Sequence, residues 1–226
     1  MLTIVSTPIG NLKDITLRAL EALKSCDAVI CEDSRHTGLL LHHFEIKKPM
    51  VVLNDNNEFK MFPVVINRLQ NGKNLCLVSD AGTPLVSDPG YKLIRECLAQ
   101  DITVDSLPGP TAAIVALTLS GLPPDKFMFL GYLPEKQGKR TELLKKLLNI
   151  NELISTTFIT YVAPHKLIRT LEDMQTIYGS DFEIVLEKEL TKLHQNVKKQ
   201  KISEWLEDFK KQQPKGEFTL LLGFNS

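Results

Sequence analysis

Glu32, Asp33, Arg35 and His36 place four ionisable side chains within five consecutive positions. Such a cluster can bind a substrate or supply a base and a cation to a reaction. It can also be a solvated loop whose charges pair with one another. A second stretch, VSDAGTPLVSDPG (78–90), contains Asp80 and Asp88, with Gly82, Pro84, Pro89 and Gly90 set among small residues. Each aspartate can act on a ligand or simply cap a local turn. A third concentration, KELTK (188–192), holds Lys188 and Lys192. Further basic residues gather at Lys136, Lys139, Arg140, Lys145 and Lys146, and at Lys198, Lys199 and Lys201. These are the candidates for contacting a polyanion, although charge runs are usually solvated faces. His165 follows Pro164 at a helix start, where capping and surface roles are common.

The elements that must position these residues follow from hydrophobic patterning. LTIVS (2–6), DAVIC (27–31), PMVVLN (49–54), NLCLVS (74–79) and ITVDSL (102–107) read as strands. Between them, 15–26 (with Asp14 as N-cap), 36–44, 58–70, 91–100 and 111–122 read as helices. Such alternation with buried-type strands argues for a parallel α/β sheet. Ligands of these sheets collect beyond the carboxyl ends of the strands. The loops STPIGNLKD (6–14), EDSRHT (32–37), SDAGTPLVSDPG (79–90) and PGPT (108–111) are therefore the places to look, and all are rich in Gly, Pro, Asp, Ser and Thr.

GLPPDK (121–126) marks a boundary, because Pro123 and Pro124 cannot continue a helix. The expected domains are an N-terminal α/β domain, 1–122, and a C-terminal α/β domain, 123–226, with a cleft between them. In the second, FMFLGYL (127–133), TTFITYV (156–162), FEIVLEK (182–188) and EFTLLLGF (217–224) read as strands. Helices are expected at 165–178 and 203–211.

Lys+Arg and Asp+Glu are both 27, a formal net charge of zero, which argues against sequence-blind nucleic-acid binding over the whole surface. The four cysteines show no C-x-x-C spacing and lie in or beside apolar runs, as expected of reduced core thiols. MLTIVSTPIGN reads as a first strand and not as a signal peptide, and no apolar run reaches the roughly 20 residues of a membrane span. The expectation is a cytoplasmic protein.

Absent motifs narrow the chemistry. There is no G-x-x-x-x-G-K-[ST], no G-x-G-x-x-G after the first strand, no G-x-S-x-G and no metal-ligand spacing among the histidines and cysteines. What remains is a loop set offering amides, carbonyls and hydroxyls to a neutral or cationic ligand without phosphates. S-Adenosylmethionine, a sulfonium cation, fits that description.

Three blocks make a resemblance specific: TPIGNLKDITLRALEALKSCDAVICEDSRHTGLLL (7–41), VSDAGTPLVSDPGYKLI (78–94) and LPGPTAAIVALTLSGLP (107–123). They resemble the signature blocks of the ribosomal RNA small-subunit methyltransferase I family, within the tetrapyrrole (corrin/porphyrin) methylase superfamily. LGYLPEKQGKR (130–140) and KGEFTLLLGF (215–224) resemble its second-domain blocks. The resemblance implies a parallel-sheet domain and a mixed α/β domain with a cofactor cleft between them. It also implies a homodimer, S-adenosylmethionine as cofactor, and 2′-O-methylation of a cytidine ribose in 16S rRNA, free or in the 30S subunit.

Carried onto this sequence, it implies that Asp80, Ala81, Gly82, Thr83 and Pro84 wrap the methionine part of the cofactor. Pro8 and Gly10 lie in the first loop, Thr111 and Ala112 face the cofactor, and Tyr161 and Val162 lie on its adenine side. In-line methyl transfer to a poor hydroxyl nucleophile benefits from positioning, a base and a cation. Arg35, His36, Asp88 and Lys192 are the catalytic candidates. Asp33, Lys139, Arg140, His165 and Lys188 are the substrate candidates, and no metal is expected.

Departures exist. YVAPHK (161–166) stands where the family reads Tyr-Glu-Ser-Pro-His-Arg, KELTK replaces Arg-Glu-Leu-Thr-Lys, NDNNE (54–58) lacks the usual histidines, and a helical extension beyond the last strand is missing. Two rivals therefore stand: a tetrapyrrole-type small-molecule methylase, and a non-catalytic cofactor- or RNA-binding module. STPIGNLKD matches the rRNA branch and not the glycine-rich loop of the tetrapyrrole branch.

Overall fold

A computed structural model describes residues 1–54 and 56–224. Asp55 of the NDNNE loop, Asn225 and Ser226 lie outside the described residues.

The chain divides into two compact units, Met1–Thr111 and Ala112–Ser226. In the first, β1 (Leu2–Val5), α1 (Leu17–Ser25), β2 (Ala28–Cys31), α2 (Ser34–His43), β3 (Met50–Val52), α3 (Glu58–Gln70), β4 (Leu75–Leu77), α4 (Tyr91–Ala99) and β5 (Val104–Leu107) alternate. The five strands form one parallel sheet, order β3-β2-β4-β1-β5. Every residue of β1, β2 and β4 is buried, which is why these strands read as unbroken apolar runs. Leu2, Ile30 and Leu77 pack with α3 and α4 on one face, while Val5, Val29 and Cys76 pack with α1 and α2 on the other. All four cysteines are free and buried.

β1 and β4 are neighbours in the middle of the sheet, yet the helices that follow them cover opposite faces. The sheet thus has a switch point between β1 and β4, and the loops at such a point are the usual ligand position in such folds.

In the second unit, α5 (Ala112–Leu119), β6 (Phe127–Tyr132), α6 (Gln137–Leu153), β7 (Thr157–Val162), α7 (Pro164–Tyr178), β8 (Glu183–Lys188), β9 (Asn196–Lys201), α8 (Ile202–Lys211) and β10 (Phe218–Leu222) follow in turn. The sheet order is β6-β7-β10-β8-β9, with only β6 and β7 parallel, so the sheet is mixed as expected. Phe158, Ile184, Leu186, Leu220 and Leu222 project from one face onto α6, α7 and α8. The helix α5 lies against β10 and β7. The division thus falls before α5, at Thr111, whereas the Pro123–Pro124 signal pointed to 122.

Two local differences have clear causes. Thr16, not Asp14, caps α1: its hydroxyl accepts from Ala19 N at 3.1 Å, and Asp14 closes a short 3-10 turn capped by Asn11. β9, NVKKQK, was not expected as a strand because it carries no apolar alternation. It is an edge strand, and Lys198, Lys199 and Lys201 pair with Asp208, Glu183 and Asp181.

Candidate functional site

The loops leaving β1 and β4 are stitched together. Thr7 N donates to Gly82 O at 2.9 Å and Gly82 N donates to Thr7 O at 3.1 Å, a small antiparallel bridge beyond the end of a parallel sheet. Thr7 Oγ1 donates to Ser79 O at 3.1 Å, and Ser79 Oγ donates to Gly82 O at 3.2 Å. Ser6 Oγ lies 3.1 Å from Thr83 Oγ1, which donates to Pro110 O at 3.0 Å, so the loop after β5 joins the same cluster. Gly82 has φ +85, a conformation costly for any side-chain-bearing residue. Leu85 and Ser87 also have positive φ, at 74 and 68, so the segment is held in a strained shape by its surroundings.

Beside this cluster sit the acidic residues. Asp33 caps α2, its Oδ1 accepting from Arg35 N at 2.8 Å, and both carboxylate oxygens accept from Arg35 Nε at 3.0 and 3.1 Å. The Arg35 side chain, through these bonds, holds the Asp33 carboxyl well below the usual range. The Arg35 side chain is 86% exposed, so it is tethered at one side and open at the other. Asp80 reaches from the β4 loop to α2: Asp33 N donates to its Oδ1 at 3.3 Å and His36 Nδ1 to its Oδ2 at 3.0 Å. Ligand atoms of Asp33, His36 and Asp80 lie within 4.8 Å of one another, a grouping that linear spacing did not reveal. Asp88 differs from all of these: burial, then the charge of Glu32, push its carboxyl up to about 6.

The second unit treats its candidates differently. Arg140 is buried: its Nε donates to Asp173 Oδ2 at 2.6 Å and its Nη1 to Glu135 O at 2.9 Å, while Gln137 Nε2 donates to Asp173 Oδ1 at 2.9 Å. Arg140 therefore pins the start of α6 to α7 and is not an exposed cation. Lys139 is exposed in the first turn of α6, and His165 is exposed in the first turn of α7. Neither helix has a side-chain N-cap bond. Lys166, which stands where the family has arginine, pairs with Glu135. Lys192 Nζ donates to Glu217 Oε2 at 2.9 Å and to Glu189 Oε1 at 3.2 Å, and Lys188 is half-buried at the end of β8. Tyr161 packs against Phe129 and Tyr132, with ring centroids 4.8 and 5.7 Å away. Val162, the next residue, enters the opposite, helix-covered core.

Residues 1–205 match the model of the tetrapyrrole (corrin/porphyrin) methylases. The chain belongs to that family. Among curated methylases, it is 43% identical to the ribosomal RNA small subunit methyltransferase I of Thermotoga maritima, spanning 98% of this chain and 97% of the relative. It is 46% identical to the Haemophilus influenzae protein of the same name, spanning 98% of this chain and 78% of the relative. The chain thus falls in the ribosomal RNA small subunit methyltransferase I branch of the methylases. Among solved structures, a diphthine synthase superposes with a TM-score of 0.75 at 18% identity, covering 98% of this chain and 89% of that one. The uroporphyrin-III-C-methyltransferase of Thermus thermophilus superposes at 0.65 and 17% identity, covering 97% and 93%. These two matches speak for the fold.

Within this methylase, the fold gathers Asp33, Arg35, His36, Asp80 and Asp88 around the loops that hold Ala81, Gly82, Thr83 and Pro84. Pro8 is buried and Gly10 exposed in the partner loop after β1, Thr111 ends the first unit, and Ala112 opens α5. Sequence reasoning missed the roles of Ser6, Thr7 and Ser79, whose hydroxyls stitch the loops. It also missed Gly109, where a Cβ would come 2.7 Å from Ser6 Cβ. The signal for Gly109 was present in its position between Pro108 and Pro110. Glu187, an acidic residue within the apolar run of β8, was overlooked as well.

Proposed function

We propose that this chain is an S-adenosylmethionine-dependent methyltransferase that methylates the 2′-oxygen of a cytidine ribose in 16S rRNA, acting as a cytoplasmic homodimer. The observation that carries this reading is the 43–46% identity, over 98% of the chain, to proteins named for methylating small-subunit ribosomal RNA.

The residues present suit the cofactor. The stitched loops pack closely at their glycines: a Cβ on Gly82 would fall 3.3 Å from Ile9 Cγ2, and one on Gly109 would collide with Ser6, so the loop backbones are held in one arrangement. A preformed cradle of backbone amides and hydroxyls loses little entropy on binding. Ala81, Gly82, Thr83 and Pro84 would hold the methionine portion, with Pro8, Gly10, Thr111 and Ala112 as further cofactor contacts. Tyr161 would serve the adenine, with Val162 able to contribute only its backbone because its side chain lies in the opposite core. When bound, the cofactor supplies an electrophilic methyl group on sulfur.

The chain's own residues supply the rest. Asp88, with its carboxyl near 6, is ionised at neutral pH yet basic enough to accept the ribose hydroxyl proton. The Asp33-tethered Arg35 presents its free guanidinium edge to a substrate phosphate, and Asp80 fixes the orientation of His36. Lys139 and His165, at the starts of two helices without side-chain caps, suit RNA phosphates. Lys188 and Lys192 are further candidates on the second unit.

The test is methyl transfer from labelled S-adenosylmethionine to 30S particles, naked 16S rRNA and a tetrapyrrole precursor in parallel. Label mapped to one ribose supports the reading. Label in the pigment alone moves the chain to small-molecule methylation. Cofactor binding without transfer to any acceptor leaves a binding module.

A further inference from the structure

Glu187 is fully buried on β8, and neither carboxyl oxygen has a hydrogen-bond partner among the described residues. An unpaired buried carboxyl is expensive to maintain, and an apolar residue of similar size would stabilise the sheet. Its surroundings are ordered. Strand register aligns Tyr132, Tyr161, Thr219, Glu187 and Val197 in one row across β6, β7, β10, β8 and β9. That row faces away from the core formed by Ile184, Leu186 and Leu220 with α6, α7 and α8. At one end stands the aromatic group of Phe129, Tyr132 and Tyr161. The small Thr219 separates Tyr161 from Glu187, so aromatic and carboxyl lie two strand spacings apart, about 10 Å.

We propose that Glu187 reads the amidine edge of an adenine base laid across Thr219, with the Tyr161 aromatic group bounding the other end of the base. The proposal rests on S-adenosylmethionine being the cofactor, since its base carries this edge, with ring N1 as acceptor and the exocyclic amino group as donor. Burial pushes the Glu187 carboxyl up to about 8, so at neutral pH it is protonated. A protonated carboxyl offers one donor and one acceptor side by side, the complement of that edge. Glu187 and Thr219 are covered in this conformation and α5 lies against β10 and β7, so uptake of the base requires that cover to open locally. Charged groups on the same sheet face are already engaged: Lys199 and Lys201 pair with Glu183 and Asp181. Tyr132 and Tyr161 are the other titratable groups in the row, and α5 carries no ionisable residue.

The experiment is calorimetric binding of S-adenosylhomocysteine and of adenosine to the full chain, wild type against Glu187→Gln and Glu187→Leu, from pH 6.5 to 9. The glutamine amide keeps a donor beside an acceptor at every pH. Glu187→Gln should therefore bind within about threefold of wild type at pH 7. Wild-type affinity should fall about tenfold between pH 7 and 9 as the carboxyl ionises, relative to the Gln variant. Glu187→Leu should melt at a higher temperature than wild type without ligand, yet bind both probes at least about tenfold more weakly. Methionine binding should be unaffected. Equal affinity of the Leu variant and wild type would overturn the proposal. So would release of about one proton per ligand bound, which signals a carboxylate facing a cation. Failure of wild type to bind either probe is a different result, and it removes the cofactor reading itself.

Discussion

Thr7 and Gly82 exchange two backbone hydrogen bonds, of 2.9 and 3.1 Å, and so clamp the β1 loop to the β4 loop above the centre of the parallel sheet. The clamp needs Gly82 at φ +85, where a methyl group would be strained and would press on Ile9 Cγ2 at 3.3 Å. Gly82→Ala should lower stability by about 1–2 kcal/mol. It should weaken S-adenosylhomocysteine binding by more than that loss explains, because the cradle itself shifts. Urea midpoints and calorimetry on the same samples check both. Unchanged binding in a destabilised variant would place the cofactor elsewhere.

Asp88 has a defined pH signature. Its carboxyl is raised from the ordinary 3.8 to about 6 by burial and by Glu32, so the folded chain binds this proton more tightly than the unfolded one. Between those values the folded state carries more protons, and the group's contribution to stability falls as pH rises. Asp88→Asn should remove that slope from a Tm-versus-pH series. If Asp88 is the base, wild-type kcat/KM should rise with pH to a plateau above about 6. The Asn variant should lose roughly 10²–10⁴ of the rate together with that limb. A limb that persists in Asp88→Asn assigns the titration to another group.

Much of the first unit was legible because its central strands are buried on both faces, which leaves runs such as AVIC and LCL that little else produces. The helix around Glu58–Gln70 was legible despite Pro63 inside it. β9 was not, since an exposed edge strand has no apolar face to announce it. At the site, Asp80 was visible as a loop residue, but its bond to His36 spans 44 positions and depends on β2 and β4 being neighbours. Arg140 shows the opposite limit. Its sequence setting is a run of cations, and only the fold reveals Asp173 beneath it. Glu187 is the same lesson in reverse, a charged letter whose isolation appears only once the strands are paired.

Gly109 and Ser6 form a tight contact that makes a coupled prediction. Ser6 Oγ lies 3.1 Å from Thr83 Oγ1 and donates to Leu107 O at 3.4 Å, while a Cβ on Gly109 would meet Ser6 Cβ at 2.7 Å. Gly109→Ala should overpack the site and cost about 1–3 kcal/mol. Adding Ser6→Gly should recover much of that loss, so the two changes will not be additive. Urea denaturation of the two single variants and the double checks it. Simple additivity would mean that the loop moves as a whole instead of pressing on Ser6.

Lys139 and Arg140 are adjacent in sequence and opposite in role. Arg140 and Asp173 have side chains only 8% and 6% exposed, with an Nη2–Oδ2 distance of 2.5 Å. Arg140→Ala leaves the Asp173 carboxylate buried without its cation and should cost about 3–5 kcal/mol. Replacing the pair together, Arg140→Met with Asp173→Leu, should recover most of it, because apolar partners of similar volume need no compensating charge. Lys139→Ala should leave stability within about 0.5 kcal/mol. Its effect should appear in RNA binding, lowering the slope of log K against log salt by about one if the side chain meets a phosphate. Thermal melts and salt-dependent binding to 30S particles separate the two. A folded Arg140→Met/Asp173→Leu variant that also loses a unit of salt slope would return Arg140 to the RNA-facing set.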